Sequence, residues 1–288
     1  MNLFRSTVTI GIMDVSIVIP TLNGYSLLQK TLRTIVDGKV KGLSFEVIVV
    51  DNGSTDQTLD LLKKDFPDVV TVELLTNHGF TAAVNAGAVR AKGMYLLILN
   101  NDCIFSLKDL KKLISFLKKN QSYIATQPVI LTTQNIIEQI GYTVDLIKAK
   151  AHVIKNTSYD FSQWNDQKDL FSKGRMYGLS ATCLLIQKDI FKKIGMLDES
   201  FHSYLEDVDL FIRLAKKGYA FAPCLEVTAS HEHMATSKKM GNYKEKHDFS
   251  NWIRIIFKNY PLSFLLFHVP SLFIERLRNL SGLVKKTI

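Results

Sequence analysis

Two carboxylates stand side by side at Glu206 and Asp207 in "YLEDVDLFIRLAKKGY" (Tyr204–Tyr219). Adjacent acids repel, so the pKa of one is raised, which suits a general base that takes a proton from a hydroxyl. Both open a helix that ends near Gly218, and the dipole at a helix N-terminus is a plainer use for them. Asp209 and Arg213 have the i,i+4 spacing of a helix ion pair. Asp209 is therefore expected to serve only its helix and to tolerate Asp209→Asn. A second group lies in "ILNNDC" (Ile98–Cys103), where an apolar run ends in Asn100, Asn101 and Asp102. A buried strand thus delivers two amides and a carboxylate to its own C-terminal edge. The plainer reading has Asp102 solvating a loop. A third group is "DNGSTDQT" (Asp51–Thr58), where Ser54 and Gln57 have capping-box spacing for the next helix. With the cap position taken, Asp51 is left for another role.

These groups need elements to hold them. Val15–Pro20, Glu46–Asp51 and Tyr95–Asn100 are short apolar, β-branched runs ended by polar or turn residues, and Val69–Leu75 is a weaker fourth. Helical patterns cover Tyr25–Val36, Thr55–Lys64, Phe80–Ala91 and Leu107–Lys119. Strand and helix alternate, which predicts an α/β fold with a mostly parallel sheet and helices on both faces. In such sheets ligands bind outside the carboxyl ends of the strands. Those ends carry "PTLNG" (Pro20–Gly24), "DNGSTDQT" and "NNDC". No G-x-G-x-x-G follows the first strand and no G-x-x-x-x-G-K-[ST] occurs, which disfavours dinucleotide oxidoreductases and P-loop NTPases. Asn156–Lys173 has no period and reads as a loop.

The chain has 288 residues, 47% hydrophobic, enough for a sizeable core. Cys103, Cys183 and Cys224 follow no metal spacing and read as reduced core thiols. Asp14 interrupts any signal-peptide layout, and no stretch reaches the ~20 apolar residues of a spanning helix. A cytoplasmic protein is expected. The net charge of +9 is uneven, since Lys238–Ile288 holds ten Lys and Arg against three Asp and Glu. Trp252, Ile255, Ile256, Phe257, Phe264, Phe267, Phe273 and Leu277 interleave with those cations, too apolar a set for gripping nucleic acid. Beyond Pro270, Phe273, Leu277, Leu280 and Val284 recur at helical spacing, with Arg276, Arg278 and Lys285 elsewhere on the wheel. This predicts an in-plane helix on an anionic membrane surface, or else a helix pair packed on the body or on a second subunit. The expected division is 1–237 for the body and 238–288 for the C-terminal helices.

"VSIVIPTLNG", "VIVVDNGSTDQT", "NHGFTAAVNAGAVRAKGMYLLILNND" and "HSYLEDVDLFIRLAKKGY" resemble, in order, the motifs of family 2 glycosyltransferases, most closely the branch that includes bacterial rhamnosyltransferases. The resemblance runs from about Val15 to Ser237. It implies a GT-A fold and an inverting, metal-dependent transfer from a nucleoside-diphosphate sugar. By resemblance, Asp51 binds a uracil or thymine ring, with Gly53 and Ser54 in the same motif, and Pro20, Thr21 and Asn23 contact the nucleoside. Asn77, Gly79 and Asn85 let backbone approach the donor, although Gly79 also reads as a turn glycine. Asn100, Asn101 and Asp102 fall where the family carries D-x-D; Asn100 replaces the first carboxylate, and Asp102 keeps the one that ligates Mn²⁺ or Mg²⁺. A later family histidine reaches the metal. His231 is 24 residues beyond Asp207 and is preferred to His233; imidazole suits Mn²⁺ better than Mg²⁺. Asp207 is then the base and Glu206 positions the acceptor, with the strand in "GLSATCLLI" (Gly178–Ile186) beneath it.

The expected function is transfer from a UDP- or dTDP-sugar, dTDP-rhamnose among them, to a lipid-linked or polysaccharide acceptor. The expected place is the inner face of the cell membrane, with no nucleic-acid partner and with homo-oligomers open. A sugar-phosphate nucleotidyltransferase and a non-catalytic nucleotide-sugar or polysaccharide-binding protein are the alternatives.

Overall fold

Val15–Thr21 and Tyr95–Leu99 are buried along their whole length, as strands covered on both faces must be. In the computed structural model they are neighbours at the centre of a seven-stranded sheet. The structure describes residues 13–38, 40–161, 167, 169–232 and 243–287, with backbone alone at Tyr243, Glu245 and 281–287. His233, the alternative metal ligand, lies outside the described residues, as does the side chain of Lys285.

The elements run β1 (Val15–Thr21), α1 (Tyr25–Val36), β2 (Phe45–Asn52), α2 (Thr58–Asp65), β3 (Val70–Leu74), α3 (Gly79–Arg90) and β4 (Tyr95–Leu99). Next come β5 (Cys103–Ile104), α4 (Leu107–Lys119), β6 (Tyr123–Thr126), β7 (Pro128–Thr132), β8 (Ile137–Gln139), β9 (Gly141–Asp145) and β10 (Lys150–Ile154). Then follow α5 (Leu170–Lys173), β11 (Arg175–Gly178), β12 (Cys183–Gln187), α6 (Lys188–Lys193), α7 (Glu206–Lys216), β13 (Ala220–Phe221) and β14 (Cys224–His231). Two helices close the chain, α8 (Tyr243–Asn259) and α9 (Leu262–Thr287).

The large sheet has the order β13-β6-β12-β4-β1-β2-β3. β4, β1, β2 and β3 are parallel, as the alternating pattern predicts, whereas β12 runs antiparallel to β4 and β6. One face packs on α3, α6, α7 and α8, the other on α1, α2 and α4. Smaller sheets, β5-β14-β7-β8 and β10-β9-β11, complete the architecture. The register brings Thr21, Asp51 and Leu99 to one edge. Because β12 is antiparallel, it starts at that edge, with Cys183 beside Leu99. All three cysteines are buried and free.

Three expectations change. α2 begins at Thr58, not Thr55, and no side chain caps it at Gln57. Ser54 is no helix cap, because its hydroxyl donates to Asp51 and accepts the Asn23 N–H at 2.9 Å. Within Asn156–Lys173, Leu170–Lys173 is helical: Leu170 is buried and Phe171 packs edge-on against Tyr260 and Phe264. That helix is made by tertiary contacts, which leave no periodic trace in four residues. The first part of the tail follows the second of its two readings, a helix pair packed on the body. Trp252, Ile255, Ile256 and Phe264 are buried in the same core as β4 and α7. Arg276 turns inward and donates to the Ala149 carbonyl at 2.7 Å. α8 thus shares the core of the body.

Candidate active site

The sheet edge at the ends of β1 and β2 is a mesh of short polar bonds. Asn23, at φ +48°, accepts the backbone N–H groups of Thr55 (2.8 Å) and Asp56 (3.3 Å) on Oδ1. Asp51 is buried at the end of β2; one oxygen takes the Ser54 hydroxyl and the other the Ser54 N–H at 3.3 Å. The loops after β1 and β2 are therefore locked together through Ser54. Pro20 and Thr21 are buried, and the Thr21 hydroxyl accepts from the Asn101 amide at 3.0 Å. The Thr31 hydroxyl of α1 holds the Asn101 carbonyl at 2.9 Å.

The small residues answer to the chain's own packing. At Gly53 (φ +80°) a Cβ would sit 2.6 Å from the Thr76 carbonyl carbon, and at Gly79 (φ +87°) 2.5 Å from His202. Asn77 Oδ1 accepts the Gly79 N–H at 2.9 Å and the Asn52 amide at 3.1 Å. Asn85 is not brought to the edge group. Its buried amide donates to the Leu197 carbonyl and Glu199, and its oxygen accepts the Leu197 N–H at 3.1 Å. It pins the turn that leads to α7.

Asp102 follows β4 in a tight turn and faces His231, the last residue of β14. His231 Nε2 is 3.1 Å from Asp102 Oδ1, and Nδ1 is 3.2 Å from Glu138 Oε1 on β8. Pairing of His231 with Cys103 and with Thr132 fixes this arrangement. Burial works against the imidazolium, but the hydrogen bond and charge of Asp102 and the charge of Glu138 outweigh it and push His231 up to about 9. A carboxylate oxygen and an imidazole nitrogen at hydrogen-bond distance form a donor pair that suits a divalent cation. Among the described residues no three His, Cys, Asp or Glu converge as a metal-holding group; Glu138 stands behind His231, where a partner orients a ligand. Sequence reading missed Glu138, because only sheet pairing makes it a neighbour.

Glu206 and Asp207 open α7 after an unusual turn in which His202, Tyr204 and Leu205 all have φ near +60°, at 60°, 67° and 64°. Asn251 of α8, fully buried, holds that turn: its amide donates to the carbonyls of Phe201 (3.1 Å), Ser203 (2.8 Å) and Tyr204 (2.7 Å). Burial, then repulsion from Asp207, pushes Glu206 up to about 8. Its Oε2 is buried without a hydrogen-bond partner among the described residues. Burial raises Asp207 to about 6 against the pull of the Val208 and Ala181 backbone N–H groups, and Asp248 on α8 pushes it further up. Asn251 and Asp248 are the other residues that sequence reading missed; no motif marks them.

Asp209 is no surface residue. It is fully buried, with Oδ2 bonded to Arg213 Nε (2.7 Å) and Lys258 Nζ (2.9 Å) and Oδ1 to the Asn259 amide (2.9 Å). The i,i+4 pair with Arg213 exists, but the same carboxylate docks α8 on α7. The expectation that it serves only its helix is corrected.

The loop before β12 joins the two chemical groups. Its Thr182 carbonyl accepts the Asn100 N–H at 2.9 Å, while the next residue back, Ala181, donates its N–H to Asp207. The NNDC turn and the carboxylate pair thus adjoin at one sheet edge. The family described as "Glycosyl transferase family 2" matches residues 16–195, more than half of the 288.

The chain belongs to glycosyl transferase family 2. An uncharacterized glycosyltransferase of Rickettsia typhi is 28% identical over 203 residues, 70% of this chain and 58% of that one. The N-acetylglucosaminyl-diphospho-decaprenol L-rhamnosyltransferase of Mycobacterium tuberculosis is 25% identical over 225 residues, 72% of this chain and 73% of that one. Among solved structures, GalNAc-T7 with UDP, GalNAc and Mn²⁺ superimposes with a TM-score of 0.66 at 17% identity, over 85% of this chain and 48% of that one. The Pyrobaculum calidifontis mannosyltransferase PcManGT, with GDP-Man and Mn²⁺, gives 0.59 at 16% identity, over 95% and 72%. At these identities the likeness shows the fold, which is GT-A. This family 2 chain spans less than two thirds of the rickettsial relative and of GalNAc-T7.

Proposed function

We propose that this chain transfers a sugar, with inversion, from a UDP- or dTDP-linked donor to a hydroxyl of a lipid-linked or polysaccharide acceptor, at the cytoplasmic face of the membrane. A dTDP-rhamnose donor is the reading favoured by the branch resemblance and by the activity that names the mycobacterial relative. The observation that carries the reading is the junction at Ala181 and Thr182, where a carboxylate pair with raised pKa adjoins the strand edge bearing Asp102. Asp207 accepts the proton of the acceptor hydroxyl; the oxygen forms its bond to the anomeric carbon as the bond to the diphosphate breaks. With the lower value of the pair, Asp207 is the member ionised near neutrality, whereas Glu206 keeps its proton and donates a hydrogen bond that positions the acceptor. Asp102 and His231 are the residues that would hold Mn²⁺ or Mg²⁺. That ion would neutralise charge on the leaving diphosphate. Asp51 presents a fixed acceptor to the imide N–H of a uracil or thymine ring.

The test joins donor binding to turnover. UDP or dTDP should raise the melting temperature more than GDP or ADP. Asp207→Asn should keep that shift while transfer falls about 10²–10⁴-fold, the usual worth of a general base. Undiminished transfer by Asp207→Asn would refute the assignment of the base. Donor binding without transfer by the unmodified protein, over a panel of acceptors, would favour a non-catalytic binding protein.

A further inference from the structure

α9 is inverted relative to an ordinary surface helix. Its charged Glu275 and Arg276 are buried, at 6% and 9% exposure, beside Phe264 and Leu272. Its outward face is apolar: Leu262, Leu266, Phe267, Phe273, Leu277 and Leu280 are exposed, from 40% at Leu280 to 83% at Phe267. Leu262, Leu266, Phe273, Leu277 and Leu280 recur at the three-, four- and seven-residue steps of one helical face, and Phe267 adjoins Leu266 at its margin. From Leu262 to Leu280 that face runs roughly 27 Å at the usual ~1.5 Å per residue. A contiguous apolar surface of this kind marks an interaction site. No formal charge occurs from Asn259 to Ile274. Cations lie on α9 and against it instead, since Arg278 and Lys150 both reach Glu275, and α8 carries exposed Lys244, Lys246 and Arg254.

Charge decides the occupant. A two-fold contact between copies sets the same patch against itself, so the cations of one copy would face those of the other. An anionic bilayer surface meets the apolar face with acyl chains and the cations with headgroups. Among the described residues no helix is long and apolar enough to cross a membrane, which fits a helix lying in the plane. We propose that the outward face of α9 seats this protein on an anionic lipid surface, with Phe267 and Phe273 inserted at its centre. The inference is independent of the sugar-transfer reading, since binding is measured without turnover. It also places α8 between membrane and chemistry, because the helix that joins this face to the body holds the turn before Glu206 through Asn251.

The experiment floats the full chain with vesicles of phosphatidylcholine alone or mixed with phosphatidylglycerol. The unmodified protein should float with the mixed vesicles and more weakly with the neutral ones. Phe267→Ser combined with Phe273→Ser should lower the affinity by about a hundredfold, because burial of each ring contributes about tenfold. Both rings are exposed, so the variant should melt like the parent and keep its nucleotide shift. Val89→Ser, which removes an apolar residue 61% exposed on α3, should bind as the parent does. Unchanged flotation of the double variant would overturn the proposal, as would failure of the parent to float. A parent that is dimeric by light scattering and becomes monomeric in the double variant would overturn it too, and assign the face to a second copy.

Discussion

His231 Nε2 lies 3.1 Å from Asp102 Oδ1 while its Nδ1 lies 3.2 Å from Glu138 Oε1. The imidazole is held from both sides, and its orientation toward Asp102 depends on Glu138. If Asp102 and His231 share a divalent cation, Glu138→Gln should weaken Mn²⁺ binding by about 10–100-fold, the usual effect of removing a partner that orients a ligand. Asp102→Asn and His231→Ala should weaken it at least as much. Titration of Mn²⁺ followed by electron paramagnetic resonance measures all three without turnover. Equal affinity in the parent and all variants would remove the metal from this edge.

The Glu206–Asp207 pair predicts opposite pH trends for stability and rate. Both values, about 8 and about 6, lie above the ordinary carboxylate values of about 4.3 and 3.9. Between those limits the native state holds more protons than the unfolded one, so this pair makes stability fall as pH rises from about 4 to about 8. Transfer should rise over the lower part of that range as Asp207 loses its proton. Glu206 is still protonated where Asp207 titrates, so Glu206→Gln should leave the rising limb in place. The melting temperature at pH near 8 should increase, because the buried group that ionises there is gone. A melting series and a kcat/KM profile across this range decide the matter.

Asp209→Asn should destabilise strongly. A buried carboxylate that binds Arg213, Lys258 and Asn259 leaves two cations poorly matched when neutralised, and breaking such a pair costs about 3 kcal/mol or more. Chemical denaturation measures this directly. A loss under about 0.5 kcal/mol, typical of a surface site, would show that Lys258 is satisfied by Asp198 alone.

Asn251→Ala should lower turnover from a distance. Removing an amide bonded to three carbonyls leaves them unpaired in the interior, at about 1–3 kcal/mol, and loosens the turn ahead of Glu206. Transfer should fall while the nucleotide-induced thermal shift stays. The pH at which activity rises should also move, because the burial of Glu206 and Asp207 changes with the turn. A variant that loses stability but keeps both rate and pH profile would make Asn251 purely structural.

Much of the half of the fold that runs from β1 to β4 was legible in order along the chain. β1, β2 and β4 are short apolar runs whose burial on both faces demands continuous hydrophobicity, so pattern alone locates them and the polar residues at their ends. The family motifs follow because each is local to one strand end and the turn after it. Tertiary structure decided whatever depends on distant residues meeting. Ser54 has the spacing of a cap, yet the loop packs its hydroxyl on Asp51 and Asn23. Asp209 has the spacing of a surface pair, yet α8 covers it. Glu138 faces His231 across a four-stranded sheet whose pairings span residues 103 to 231. The C-terminal helices split most clearly: the sequence determined that they are apolar and basic, and only packing decided that Trp252, Ile255 and Phe264 face the core while Phe267 and Phe273 face outward. Spacing groups Phe273, Leu277 and Leu280 on one face, but the opposite face carries Phe264 and Leu272, so the fit of the neighbouring elements chooses which side turns inward.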